Sequence, residues 1–326
     1  MDRVRQCHFG YFMQYGLRAK ERRPAGFEAP EIGTFLHYLL ENTAREVAGS
    51  GGWAAVKTPQ LHAMVRKYID LYIRDEIPGY EEKSARFRYL FGRLRTTAED
   101  IVDRMAEELA ESDFKPVAFE LGFGGRDGTL PAITIQEGDA TLSVSGKVDR
   151  VDGWLYDGKL YLRVVDYKTG RKSFDLSDVR YGLGIQMLLY LFTLEKEGQS
   201  CFGYPIVPAG VLYHPARDLI LKADRDISPE ALRRAMDREL RRDGMVLGDP
   251  EVLRAMEHSA LEAPCFLPIQ VSKDGGISGG VATAAQLGRL GQYVEKLLHQ
   301  ITRELRQGNI DADPCWRGPQ ESACTY

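Results

Sequence analysis

Two aspartates and a lysine are the residues of this chain best spaced for chemistry. Asp149 lies in the run GKVDR, and Asp166 and Lys168 lie in VVDYK. Between them stands Asp157-Gly158, a strong signal for a two-residue hairpin turn. A hairpin turning there sets Asp149 directly opposite Asp166, with Cβ atoms about 4.5–5.5 Å apart. Carboxylates that close repel unless a cation sits between them. Mg2+ commonly takes one or two carboxylates and completes its shell with water and phosphate oxygens. Lys168, two residues past Asp166, shares its face. A divalent cation, a water and a lysine so placed suit phosphodiester hydrolysis. The other reading is a salt-bridged surface hairpin, in which Lys147, Arg150, Arg163 and Lys168 neutralise the aspartates without metal. The same register opposes Lys147 to Lys168, so either the pairing frays there or Lys147 also faces phosphate.

The elements that must position these residues can be read from hydrophobic periodicity. Residues 1–20 read as a short amphipathic helix and residues 21–30 as a loop. Residues 31–48, 59–75 and 82–111 read as three helices, so residues 1–115 are mostly helical. The period then changes to two: Val117, Phe119, Leu121 and Phe123 predict a strand. Residues 131–136 add another, and 141–170 the hairpin. Residues 177–196 return to helix, residues 208–221 read as a strand, 229–242 as a charged helix and 283–308 as a long final helix. Residues 116–225 thus form a sheet-and-helix core, and 226–326 a helical C-terminal part. The expected class is α/β, one domain around a central mixed sheet flanked by helices.

The chain has 326 residues and a formal net charge of −4, so any case for nucleic-acid binding rests on local charge. From Lys83 to Arg95 five basic residues (Lys83, Arg86, Arg88, Arg93 and Arg95) occur with no acid between, interleaved with Phe87, Tyr89 and Phe91. Such mixtures combine phosphate contacts with base stacking on single strands. A solvated basic helix face is the plainer reading. Arg18 to Arg23 forms a smaller basic run. No 18-residue apolar run is present, so no membrane span is expected. Five cysteines (Cys7, Cys201, Cys265, Cys315 and Cys324) are too few and too odd in number for a secreted disulfide scaffold, and point to the cytoplasm.

Taken in order, Asp149, then Asp166 and Lys168, then Gln186 and Tyr190 in GLGIQMLLYLFTL, resemble the RecB-like branch of the PD-(D/E)xK nucleases. Together with CHFGYFMQYGLRAKERR, EIGTFLHYLLE and ARFRYLFGRL, the match resembles the nuclease domain of AddB-type subunits of bacterial AddAB helicase–nucleases over nearly the whole chain. The resemblance implies a restriction-endonuclease-type fold and an excised C-terminal nuclease domain. It implies a metal-dependent exonuclease acting on single-stranded DNA in double-strand-break processing, with an AddA-like partner. It makes His37 a third ligand to Mg2+ or Mn2+ beside Asp149 and Asp166, with the backbone carbonyl of Tyr167 adding another. Glu120 becomes a catalytic carboxylate, and Gln186 and Tyr190 face the DNA. It also implies a 4Fe–4S cluster in the longer protein. Cys7 and Cys324 match two of its four ligands, and the other two are expected just beyond Tyr326, so this chain is expected to lack the cluster. Cys201 and Cys265 are expected to be buried apolar residues. Two alternatives remain at this point: another RecB-like nuclease, such as a CRISPR-associated one, and a DNA-binding or assembly module with a silent site.

Overall fold

The structure is a computed structural model. It describes all residues except 20–28, 126–127, 220, 223–225, 317, 319–322 and 324–326. The chain begins with α1 (Asp2–Gln6) and α2 (His8–Tyr11), then α3 (Ala29–Gly49), α4 (Thr58–Glu76) and α5 (Ala85–Ala110). Strands β1 (Lys115–Phe123), β2 (Ile133–Glu137), β3 (Ala140–Val144), β4 (Gly146–Tyr156) and β5 (Lys159–Lys168) follow. After α6 (Leu176–Arg180) and α7 (Gln186–Phe202) come β6 (Ile206–Pro215), α8 (Pro229–Glu239), β7 (Asp243–Leu247) and α9 (Pro250–Met256). The chain continues through β8 (Ile269–Val271), β9 (Ile277–Gly279) and β10 (Val281–Ala282) into α10 (Ala284–Arg306).

Six strands form one mixed sheet in the order β1-β4-β5-β6-β7-β10. The β5–β6 and β7–β10 pairs are parallel and the others antiparallel. The hairpin turns where its residues require. Asp157 and Gly158 both have positive φ, 47° and 70°, the geometry of the tight turn whose twist matches the flanking strands. Pro116 sits in β1, an edge strand, where a missing N–H costs least.

Two apolar cores flank this sheet. In one, Leu188, Leu191 and Leu194 of α7 pack with Val164, Val211 and Val246 from three strands. In the other, Phe35, Leu36 and Leu39 of α3 pack with Val65, Phe91, Val102 and Met105 of α4 and α5, and with Tyr167 of β5. Helix α3 is thereby fixed against the sheet close to the paired aspartates.

Three differences from the sequence reading have clear causes. The expected first helix is broken at Cys7, which is extended (φ −172°), and ends in a π turn at Phe12–Gly16. The helix expected over 177–196 is two helices, because Gly182 and Gly184 take positive φ (79° and 65°) and place Gln186 at a helix start. The C-terminal part is not only helical: β7 and β10 complete the sheet. Their runs are too short for periodicity to reveal, although Asp249-Pro250 carried the cap signal of α9.

Candidate metal and nuclease site

The β4–β5 ladder runs in the register set by the turn, from Tyr156↔Lys159 to Arg150↔Val165. It stops one step before Asp149 and Asp166. Beyond that point β4 continues beside β1 alone, and β5 beside β6. In the notch so opened, the Asp149 carboxylate accepts the Tyr167 backbone N–H at 2.8 Å, in place of a main-chain partner. Lys147 therefore does not oppose Lys168; it pairs with Glu120 at 3.0 Å.

Glu120 reaches the site from the far side of β4. Its neighbours pair as Phe119↔Arg150 and Leu121↔Val148, so Glu120 lies across from Asp149. Its φ of 50° is rare for a residue with a side chain and costs on the order of 1–3 kcal/mol. His37 enters from α3. Its Nδ1 lies 3.4 Å from Asp149 Oδ1 and 3.8 Å from Glu120 Oε1. Its Nε2 lies 3.4 Å from the Tyr167 carbonyl. A carbonyl only accepts, so Nε2 carries the proton and Nδ1 faces the two carboxylates with its lone pair unless a second proton binds.

His37, Glu120 and Asp149 each offer a ligand atom within 4.8 Å of the others. Asp166 stands beside this group and forms an ion pair with Lys168. Its Oδ2, shielded from solvent, is the oxygen that Lys168 Nζ approaches. Burial, then the Asp166 charge, pushes Asp149 up to about 6. Burial works against the His37 cation, yet hydrogen bonding to Glu120 and the Asp149 charge outweigh it and raise the imidazole above its usual range. The Glu120 carboxyl is lowered, because His37 and Lys147 outweigh burial. Three clustered carboxylates and an imidazole nitrogen facing two of them fit an oxygen- and nitrogen-ligated divalent cation. A cleft of about 460 Å3, lined by Gly33, Thr34, His37, Tyr38, Glu41 and Glu120, opens onto the group.

At the start of α7, Gln186 is exposed and donates to the Tyr190 hydroxyl at 2.9 Å. Tyr190 is buried and stacks on Phe123, with centroids 5.3 Å apart. It supports Gln186 from below rather than presenting its own surface. The basic run on α5 is partly answered by distant acids. Arg93 pairs with Asp218, Arg95 lies 3.5 Å from Asp70 and Arg88 4.0 Å from Glu81. Lys83 and Arg86 are exposed. Phe91 is core, whereas Tyr89 is 67% exposed. Of the smaller run, Arg18 is exposed and Lys20, Arg22 and Arg23 lie outside the described residues.

Cys7 lies between α1 and α2, and the Cys315 backbone N–H donates to Gln6 at 2.7 Å, so these two cysteines share one corner. Cys324 lies outside the described residues. Cys265 is half-buried, but Cys201 is exposed: it falls near the end of α7, past the buried face.

Sequence reasoning missed a buried ionic lattice on the other side of the hairpin. Arg150 and Arg163 do not neutralise Asp149 and Asp166. Both contact Asp152, at 3.0 and 2.9 Å. Arg163 also reaches Glu108 at 3.3 Å, and Glu108 binds Arg242 at 2.6 Å. None of these five is more than 3% exposed. The register that opposed the aspartates also opposes Asp152 to Arg163, and that was the available signal.

A mixed sheet whose neighbouring strands carry Glu120, Asp149 and the Asp166–Lys168 pair is the frame of one protein class. Residues 1–326 match the sequence model of the PD-(D/E)XK nuclease superfamily, and the chain belongs to it. Among individual proteins, it is 33% identical over 330 residues to the B subunit of the ATP-dependent helicase/deoxyribonuclease of Acetivibrio thermocellus, covering 100% of this chain and 29% of that protein. The protein of the same name from Caldanaerobacter subterraneus subsp. tengcongensis is 33% identical over 333 residues, covering 100% of this chain and 28% of that protein. One from Clostridium botulinum is 32% identical over 331 residues, with 100% and 29% covered. The chain thus spans less than a third of the length of these relatives. Among the described residues no helix is long and apolar enough to cross a membrane.

Proposed function

We propose that this chain is a divalent-metal-dependent deoxyribonuclease domain of an AddAB-type helicase–nuclease, acting on single-stranded DNA in the cytoplasm during double-strand-break processing. The observation that carries the reading is the convergence of His37, Glu120 and Asp149 beside the Asp166–Lys168 pair. His37, Asp149 and Asp166 would hold Mg2+ or Mn2+, with Glu120 or the Tyr167 carbonyl completing the protein ligands. A cation bound there lowers the pKa of its water and screens the phosphate.

The protein's own groups do the rest. Lys168, about one third exposed, orients the attacking water and stabilises charge developing on the phosphate. Asp166 holds the lysine in that position. Gln186, exposed at the start of α7 and braced by Tyr190, positions the strand. Lys83, Arg86, Arg88, Arg93 and Arg95 contact phosphates farther along it, so binding weakens steeply with salt. The relatives are each one subunit of a helicase/deoxyribonuclease, which supports an AddA-like companion. Cys7 and Cys324 would be two of the four ligands of a 4Fe–4S cluster of the kind such subunits carry.

The test is cleavage of end-labelled single-stranded DNA with Mg2+ or Mn2+, using the parent, Asp166→Ala and Lys168→Ala. Loss of cleavage in both variants with DNA binding retained supports the enzyme. Undiminished cleavage in either sinks the assignment of that residue.

A further inference from the structure

The geometry points to Tyr167 as a positioning residue for the metal ligands, held from behind by the buried ionic lattice. This inference rests on the nuclease reading above and extends it to a side chain that does not face the substrate.

The main chain of Tyr167 touches two ligand groups at once. Its N–H donates to Asp149 Oδ2 and its carbonyl accepts from His37 Nε2. The first bond fixes the Asp149 carboxylate in the notch. The second fixes the imidazole tautomer and its angle, as hydrogen-bonded carbonyls do for ligating histidines, and uses one of the carbonyl's two lone pairs. A shift of this one residue would move both ligands together.

The side chain prevents that shift. Its ring is wedged between His37 and His214, edge-on to both, with centroids 5.8 and 5.3 Å away. Its hydroxyl accepts from Arg150 Nη1 at 3.2 Å and donates to Met105 Sδ at 3.5 Å. Arg150 is in turn clamped by Asp152, which also holds Arg163. A lattice of this kind is a poor device for stability, since apolar side chains of similar volume often serve as well or better. As an anchor it is apt, because paired guanidinium and carboxylate groups tolerate little displacement.

Mn2+ binding followed by electron paramagnetic resonance without DNA, alongside single-strand cleavage, tests this role. Tyr167→Phe removes only the hydroxyl. The expected result is a Mn2+ dissociation constant raised about tenfold, with cleavage partly restored by saturating metal. Val211→Ala, a core truncation on β6, serves as the control for lost stability. An equal weakening of Mn2+ binding in the control, or unchanged binding in Tyr167→Phe, overturns the positioning role. If the parent binds no Mn2+, the metal-nuclease reading fails and this role with it. If Asp166→Ala abolishes cleavage while Tyr167→Phe matches the parent, only the role of Tyr167 fails.

Discussion

Asp149 and Arg150 are neighbours on β4, yet they lie on opposite sides of the sheet and in opposite electrostatic settings. On the Asp149 side, Glu120 and Asp166 crowd the same notch, and the cations that meet these acids are partly exposed: Lys147 at Glu120, Lys168 at Asp166 and His37 beside Asp149. On the Arg150 side, each acid has at least two guanidinium partners: Asp152 meets Arg150 and Arg163, and Glu108 meets Arg163 and Arg242. Burial pushes both sets of carboxyls toward the neutral form. For Asp149 it prevails, assisted by Asp166. For Glu108 the arginines overcome it and hold the group well below the usual carboxylate range. His214, 3.8 Å from Glu108, is kept neutral by burial and by Arg242, so that contact is not an ion pair. Burial alone therefore does not distinguish a structural carboxylate from a functional one. What distinguishes the two sets is the kind of counter-charge: buried guanidinium groups shared between acids on the Arg150 side, partly exposed lysines and a histidine on the other.

Breaking the Arg150 side should have the largest effect on the fold. Glu108→Ala strands buried arginines and should destabilise the protein by about 3–5 kcal/mol in urea denaturation. Breaking the Asp149 side, whose partner cations are partly exposed, should spare the fold and remove activity. Asp166→Ala should lower cleavage about 10^3-fold, equivalent to about 4 kcal/mol of barrier, with a melting temperature no lower than the parent's in metal-free buffer.

pH separates the two sides by sign. Asp149 is raised, so the metal-free folded state holds its proton more tightly than the unfolded chain. Its contribution to stability falls as pH rises from about 4 to about 6. Divalent cation should abolish that fall. Mn2+ affinity should climb about a hundredfold per pH unit well below about 6, where Asp149 and His37 must both lose a proton, and about tenfold per unit above it until His37 is neutral. Glu108 is lowered, so its contribution is complete above the usual carboxylate range and is lost only as pH falls through its depressed folded value. Titration of urea stability with and without Mn2+ reads both effects. The smallest effect concerns Glu120. Glu120→Gly should relieve the positive φ and stabilise the metal-free fold by about 1 kcal/mol, while weakening Mn2+ binding.

Much of the Asp149 side was legible in the sequence because one turn dictates it. Asp157-Gly158 sets the register, and the register sets which residues are opposed. His37 was legible only through the family resemblance, since nothing in an amphipathic helix 112 residues upstream says where it docks. The lattice was not recognised because charged residues in a hairpin ordinarily face water. Its members are also scattered: Glu108 ends a helix and Arg242 precedes a short strand. The break before α7 required knowing that two glycines would take positive φ, which spacing does not reveal.

Glu120, Asp149 and Asp166 stand on three consecutive strands of the sheet, β1, β4 and β5. Neighbouring strands are separated by about 4.8 Å, a distance set by backbone hydrogen bonds and indifferent to side chains. The β1–β4 ladder thus meters the span from Glu120 to Asp149, whereas at Asp166, beyond the end of the β4–β5 ladder, the Asp149 bond to the Tyr167 N–H ties the two strands. Slippage of β4 by one residue would carry Asp149 to the buried side and Arg150 into the notch, exchanging the two environments in one step.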